Sequence, residues 1–155
     1  MKKPLIALVI AGLLSTPISF ANEAKSEKQA KAAIQYRQAL LQVIRSNMGA
    51  LGAMAKGHIP FDAQKMEKNG MRIEQLATMM PDYFAIDTSA YKMPTDAKAD
   101  IWQNHEDFTG KINDLISAAR NLQVVASDGD ESQFKGAIGQ VGRACKGCHD
   151  EYKEE

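Results

Sequence analysis

Residues 131–152 read ESQFKGAIGQVGRACKGCHDEY. Phe134, Ile138, Val141, Cys145, Cys148 and Tyr152 fall at alternating steps of four and three. That spacing lays one apolar stripe along an α-helix, which turns once in about 3.6 residues. The preceding Ser127-Asp128-Gly129-Asp130 is a turn cluster that also offers an N-cap. The two cysteines therefore belong to the buried stripe, near the helix's C-terminal end. His149 comes one turn after Cys145 and borders that stripe.

Cys145-Lys146-Gly147-Cys148-His149 is a C-x-x-C-H motif, a haem attachment signature. Its spacing has a physical cause. Two sulfurs must each meet a haem vinyl group, and residues three apart on a helix project to one side. The next histidine then reaches the iron from the same turn, and a proximal His is a common haem ligand. Three other uses of the pair compete. A redox C-x-x-C usually opens a helix, where the dipole lowers a thiol pKa, but this pair closes one. A structural zinc ion takes four ligands, whereas the chain has two cysteines and three histidines, with His58 and His105 distant in sequence. A structural disulfide is the ordinary use of two cysteines in an exported protein. The haem reading fits both the spacing and the following histidine.

Upstream, three more stretches carry the helical period. About Ser26 to Ala55, Ile34, Leu41 and Met48 recur every seven residues, with Arg37, Ile44 and Leu51 between. Arg37 is a charge on an otherwise apolar seam. About Asp62 to Met80, the stripe is Met66, Gly70, Ile73, Ala77 and Met80; Asp62 is the expected N-cap and Pro81 the expected stop. About Ala99 to Ala126, the face is Ile101, His105, Phe108, Ile112, Leu115, Ala119 and Leu122. The connection from Asp82 to Lys98 is long for a bundle and is expected to cover something. No segment has a period of two, so no sheet is expected. The fold class predicted is all-α, an antiparallel four-helix bundle with covalent haem near its C-terminus.

Lys2 and Lys3, the apolar run from Leu5 to Leu14 and Ser19-Phe20-Ala21 form a secretory signal pattern, with cleavage expected after Ala21. The run is short of the about 20 apolar residues that cross a bilayer. Residues 1–21 are thus expected to be removed and 22–155 to form one exported domain, periplasmic and free of the membrane. Without Lys2 and Lys3, 17 of the 19 basic residues face 19 acidic ones, a net charge of −2. That balance gives no reason to expect nucleic acid as a partner.

The chain resembles the cytochromes c'. The resemblance spans Glu27 to Lys153. It rests on Tyr36-Arg37-Gln38, Asn47-Met48-Gly49, Lys56-Gly57 with Pro60-Phe61-Asp62, and Ile101-Trp102. Val141-Gly142-Arg143-Ala144 then leads into the cysteine motif and Asp150. The resemblance implies one covalent haem c on Cys145 and Cys148, with His149 on the iron. It places Leu41 over the sixth iron position, where low-spin relatives have a methionine. Leucine has no donor atom, so the implied iron is five-coordinate and high-spin. The resemblance further implies haem-edge contacts from Arg37 and Gln38, and an arginine fork suits a propionate carboxylate. Asp96 is placed along the same edge and Trp102 on or near the haem. The family commonly has an arginine where this chain has Lys153, which keeps the charge and loses the planar fork.

The implied function is a periplasmic haem protein that binds diatomic gases, nitric oxide and carbon monoxide, and takes part in electron transfer. Its redox partner proteins are not specified by the sequence, and a homodimer through the first two helices is usual for such proteins. The rival is a low-spin electron carrier with a sixth side-chain ligand. Met48, the nearest methionine on the seam, lies about 10.5 Å from Leu41 along the axis at 1.5 Å per residue. His105 is a second candidate. No enzyme activity is expected, because Ile44 and Met48 supply no acid–base group of the kind a peroxidase uses.

Overall fold

The computed structural model describes residues 22–155, so the leader expected over 1–21 lies outside the described residues. The chain begins with β1 (Asn22–Glu23), followed by α1 (Glu27–Ala55) and α2 (Ala63–Phe84). After β2 (Ile86–Asp87) come α3 (Asp100–Gln103), α4 (His105–Asp128) and α5 (Glu131–Tyr152). The four long helices form the bundle. α2 and α4 share its widest interface, α1 flanks α2, and α5 flanks α4. α1 and α5 meet only along a short stretch, which leaves that side of the bundle the least closed.

Local chemistry sets the helix ends. The Ser26 hydroxyl accepts the Gln29 N–H at 3.2 Å, while the Gln29 side chain accepts the Lys25 N–H at 2.7 Å. Asp62 caps α2 by accepting the Lys65 N–H at 2.9 Å. Asp130 caps α5 by accepting the Ser132 N–H at 3.1 Å. Gly57 and Gly129, at φ of 73° and 76°, make the left-handed turns after α1 and α4.

Four expectations need correction. Pro81 does not stop α2, which runs through it to Phe84. A proline in the exposed last turn loses one hydrogen bond there, and continuing the helix delivers Phe84 into the core against Phe108, with ring centroids 5.0 Å apart. The third expected helix is broken at Asn104, whose φ of −116° and ψ of 47° separate α3 from α4. His105 then opens α4 on an exposed face, outside the apolar stripe. A minimal sheet does exist: β1 and β2 pair in parallel, Asn22 with Ile86 and Glu23 with Asp87. Finally, the buried stripe of α1 is Ile34, Arg37, Leu40, Ile44, Asn47, Leu51 and Met54. Leu40 and Asn47 occupy the inner line where the seven-residue pattern put Leu41 and Met48. The remaining seams follow the expected faces, with Met66, Gly70, Ile73, Ala77 and Met80 buried on α2. Phe108, Ile112, Leu115, Ala119 and Leu122 do the same on α4.

Candidate haem site

Cys145 and Cys148 lie on α5, three residues apart and half-buried against the edge of the hydrophobic core. Burial raises both thiol pKa values, that of Cys148 to about 11, with the neighbouring Cys145 adding to the shift. Burial thus disfavours the thiolate at both positions, whereas a redox pair has a lowered thiol pKa. Among the described residues no three His, Cys, Asp or Glu side chains cluster in the manner of a metal cage.

His149 is exposed on the same turn and borders an open cleft of about 500 Å³ lined by Lys98, Asp150, Lys153, Glu154 and Glu155. Its carbonyl accepts the Lys153 N–H at 3.2 Å, which closes the helix. The segment before α3 is pinned across this end. Lys98 donates its N–H to the Tyr152 carbonyl at 3.1 Å, and Glu154 donates to the Asp96 carbonyl at 2.8 Å. Lys153 pairs with the Asp96 carboxylate at 3.4 Å. On α1, Gln38 Nε2 donates to the Pro94 carbonyl at 3.4 Å. Pro94 and Asp96 are two residues apart, a backbone span of at most about 7 Å. The Gln38 flank of α1 and the last residues of α5 therefore lie side by side, joined by one strap. Asp96, within that strap, and Gln38, which holds its Pro94 end, are both exposed.

Leu41 lies on the flank of α1 that also carries Gln38 and Arg45, at helical spacings of three and four. It is 38% exposed, against 7% for Leu40 beside it. Met48 is half-buried and packs on the core. Trp102 is half-buried and donates its indole N–H to the Phe84 carbonyl at 2.8 Å. Arg37 is 2% exposed. Its guanidinium donates to Thr88 Oγ1 at 2.8 Å and to the Ile86 carbonyl at 3.4 Å. It also stands 5.1 Å from the Trp102 ring centroid and 5.4 Å from that of Phe84. Burial lowers its pKa, and Asp87 opposes the shift. Sequence reasoning missed Thr88, Ile86 and Phe84 as partners of Arg37. Only its position on an apolar seam signalled that some counter-group had to exist.

The donor set suits haem. Two cysteine sulfurs share one helical face, an accessible imidazole shares their turn, and apolar core lies behind them. A helical bundle that ends in such a turn defines a c-type haem protein. The Cytochrome C' family model matches residues 32–153. The chain is 34% identical over 123 residues to cytochrome c' of Rubrivivax gelatinosus, covering 79% of this chain and 95% of the relative. Cytochrome c prime from Shewanella frigidimarina superposes with a TM-score of 0.74 at 35% identity, covering 84% of this chain and all of that one. The nitric oxide complex of a leucine-to-alanine mutant of cytochrome c prime from Alcaligenes xylosoxidans superposes with a TM-score of 0.69 at 27% identity, covering 81% and 96%. The chain belongs to the cytochrome c' family, four-helix bundles whose cofactor is covalent haem c.

Proposed function

We propose that this chain is an exported, periplasmic haem protein whose five-coordinate, high-spin iron binds nitric oxide and carbon monoxide and takes part in electron transfer. Cys145 and Cys148 hold the haem through thioethers and His149 is its single protein ligand. The haem supplies the redox couple and the open coordination position. The chain supplies the rest. α5 fixes the three attachment atoms in one turn, and the strap from Pro94 to Lys98 ties that turn to the Gln38 flank of α1. Gln38 and Asp96, both exposed, are the groups offered to the haem edge, while Arg37 and Trp102 support it from within, Arg37 held by Thr88 and Ile86.

The observation that carries this reading is Leu41, an apolar side chain without a donor atom left 38% exposed in mid-helix. It favours neutral diatomics over anions and leaves iron without a sixth side-chain ligand. A relative solved as its nitric oxide complex supports the same assignment. Two measurements test it. The mature protein should keep its haem through acid–acetone extraction, with a mass equal to residues 22–155 plus one haem. Its ferrous optical spectrum should be high-spin, without a strong alpha band. Haem lost on extraction would remove the attachment assignment, and sharp low-spin bands would give the electron-carrier reading first place.

A further inference from the structure

Tyr152 closes α5, three residues after His149 and four after Cys148. Its ring is 5% exposed and packs edge-on against Phe108, with centroids 5.2 Å apart. Phe108 in turn meets Phe84. A phenylalanine would serve that apolar packing equally well. The hydroxyl is therefore the informative atom: it donates to Asp107 Oδ2 at 2.6 Å. A charge-assisted bond of that length is strongly directional. Burial and the Asp107 carboxylate both raise the phenol pKa, so the proton stays on the tyrosine. Beside this bond, Lys111 pairs with Glu151 at 2.9 Å and with Asp107 at 3.9 Å. The last turn of α5 is thus held to the first turn of α4 by a half-buried bond, Tyr152 inside and Asp107 at the surface, with an ion pair next to it.

His149 lies on that turn, so the rotation of the turn sets the direction in which its Cα–Cβ bond leaves the helix. We propose that Tyr152 and Asp107 are positioning residues for the iron ligand, because their hydrogen bond fixes the rotation of the last α5 turn and hence the direction from which His149 meets the iron. The inference rests on the reading of His149 as that ligand. It assigns the hydroxyl of Tyr152 a role its packing does not need. It also assigns Asp107, 42 residues before His149 in the chain, a part in setting the iron–histidine bond.

The test is the iron–histidine stretching band of the ferrous holoprotein, read by resonance Raman. Tyr152→Phe keeps the ring and removes the bond, and Asp107→Asn keeps an acceptor and removes the charge. Both should displace and broaden the band, and the double variant should do no more than either alone, since one bond is at stake. Asp107→Glu, which keeps the charge and lengthens the arm, should also displace it and covers the case in which Asp107→Asn fails to fold. Asn121→Ala is the control. It breaks another α4–α5 bridge, from Asn121 Nδ2 to Gln140 Oε1 at 2.7 Å, and should leave the band in place. A lower melting temperature with an unmoved band in Tyr152→Phe overturns the proposal and leaves the pair a purely structural role. Absence of an iron–histidine band in the unaltered protein would instead remove His149 as ligand, and this inference with it.

Discussion

An exposed leucine in the middle of a 29-residue helix contributes little to folding, because its burial is incomplete. Leu41→Ala should therefore cost the protein chain itself little, its main contact in the proposed site being the haem. It should nevertheless speed carbon monoxide association, measured by flash photolysis, because the side chain over the iron is shortened. Leu41→Met should offer a thioether and move the ferrous spectrum toward low-spin. Unchanged association rates and spectra in both variants would take Leu41 off the haem. Arg37 is the opposite kind of residue, charged and buried. Arg37→Leu extends the apolar seam but strips Thr88 Oγ1 of its charged donor, and bonds to charged groups contribute about 1.5–3 kcal/mol. A loss of that size is expected in denaturant melts. A shifted haem potential in the same variant would show that the guanidinium also acts on a propionate. An unchanged potential would confine it to Thr88, Ile86 and the two rings.

At the scale of elements, α2 and α4 approach closely where Gly70 faces Ala119. A Cβ at Gly70 would lie 3.1 Å from the Ala119 carbonyl and 3.0 Å from Gln123 Cγ. The glutamine tail can move but the carbonyl cannot, so Gly70→Ala should destabilise by about 1–3 kcal/mol in a urea melt despite alanine's better helix propensity. Gly70 was legible in the sequence as a member of the α2 stripe, but the closeness of the opposing backbone was not. The same division runs through the chain. The periods of α2, α4 and α5 were readable because most of their apolar residues fall on one face. α1 was misread by one residue, since Leu40 and Leu41 are adjacent and either completes a three–four step; packing chose Leu40. Pro81 and Asn104 were misread because local preference was set against distant partners, Phe108 for Phe84 and the core for Ile101. The short β1–β2 pair has no periodic signal at all, being two residues long. At the site, the cysteines and His149 were legible as a motif, whereas Asp107 is joined to Tyr152 only by folding.

On the scale of the whole molecule, the face shared by α1 and α2 is more apolar than a lone bundle needs. Tyr36 is 60% exposed and Val43 48% exposed on α1, with Met79 39% exposed on α2. Tyr36 and Tyr83 meet edge to face at 6.4 Å, and a shallow cleft of about 200 Å³ runs between Tyr36, Ala39, Leu40, Val43, Leu76 and Tyr83. Exposed apolar residues grouped in this way suit an association surface. A second copy of the chain is the occupant proposed, because a two-fold axis lets the same patch serve both partners. Val43 is the residue to test, since its exposure makes substitution nearly neutral for the isolated fold, within about 0.5 kcal/mol. Val43→Glu would place a like charge from each copy against an apolar surface with no cation supplied by the partner's equivalent position. The unaltered holoprotein should sediment as a dimer, and Val43→Glu as a monomer with an unchanged haem spectrum. A monomeric unaltered protein at micromolar concentration, or a variant that stays dimeric, would remove the α1–α2 face as the contact.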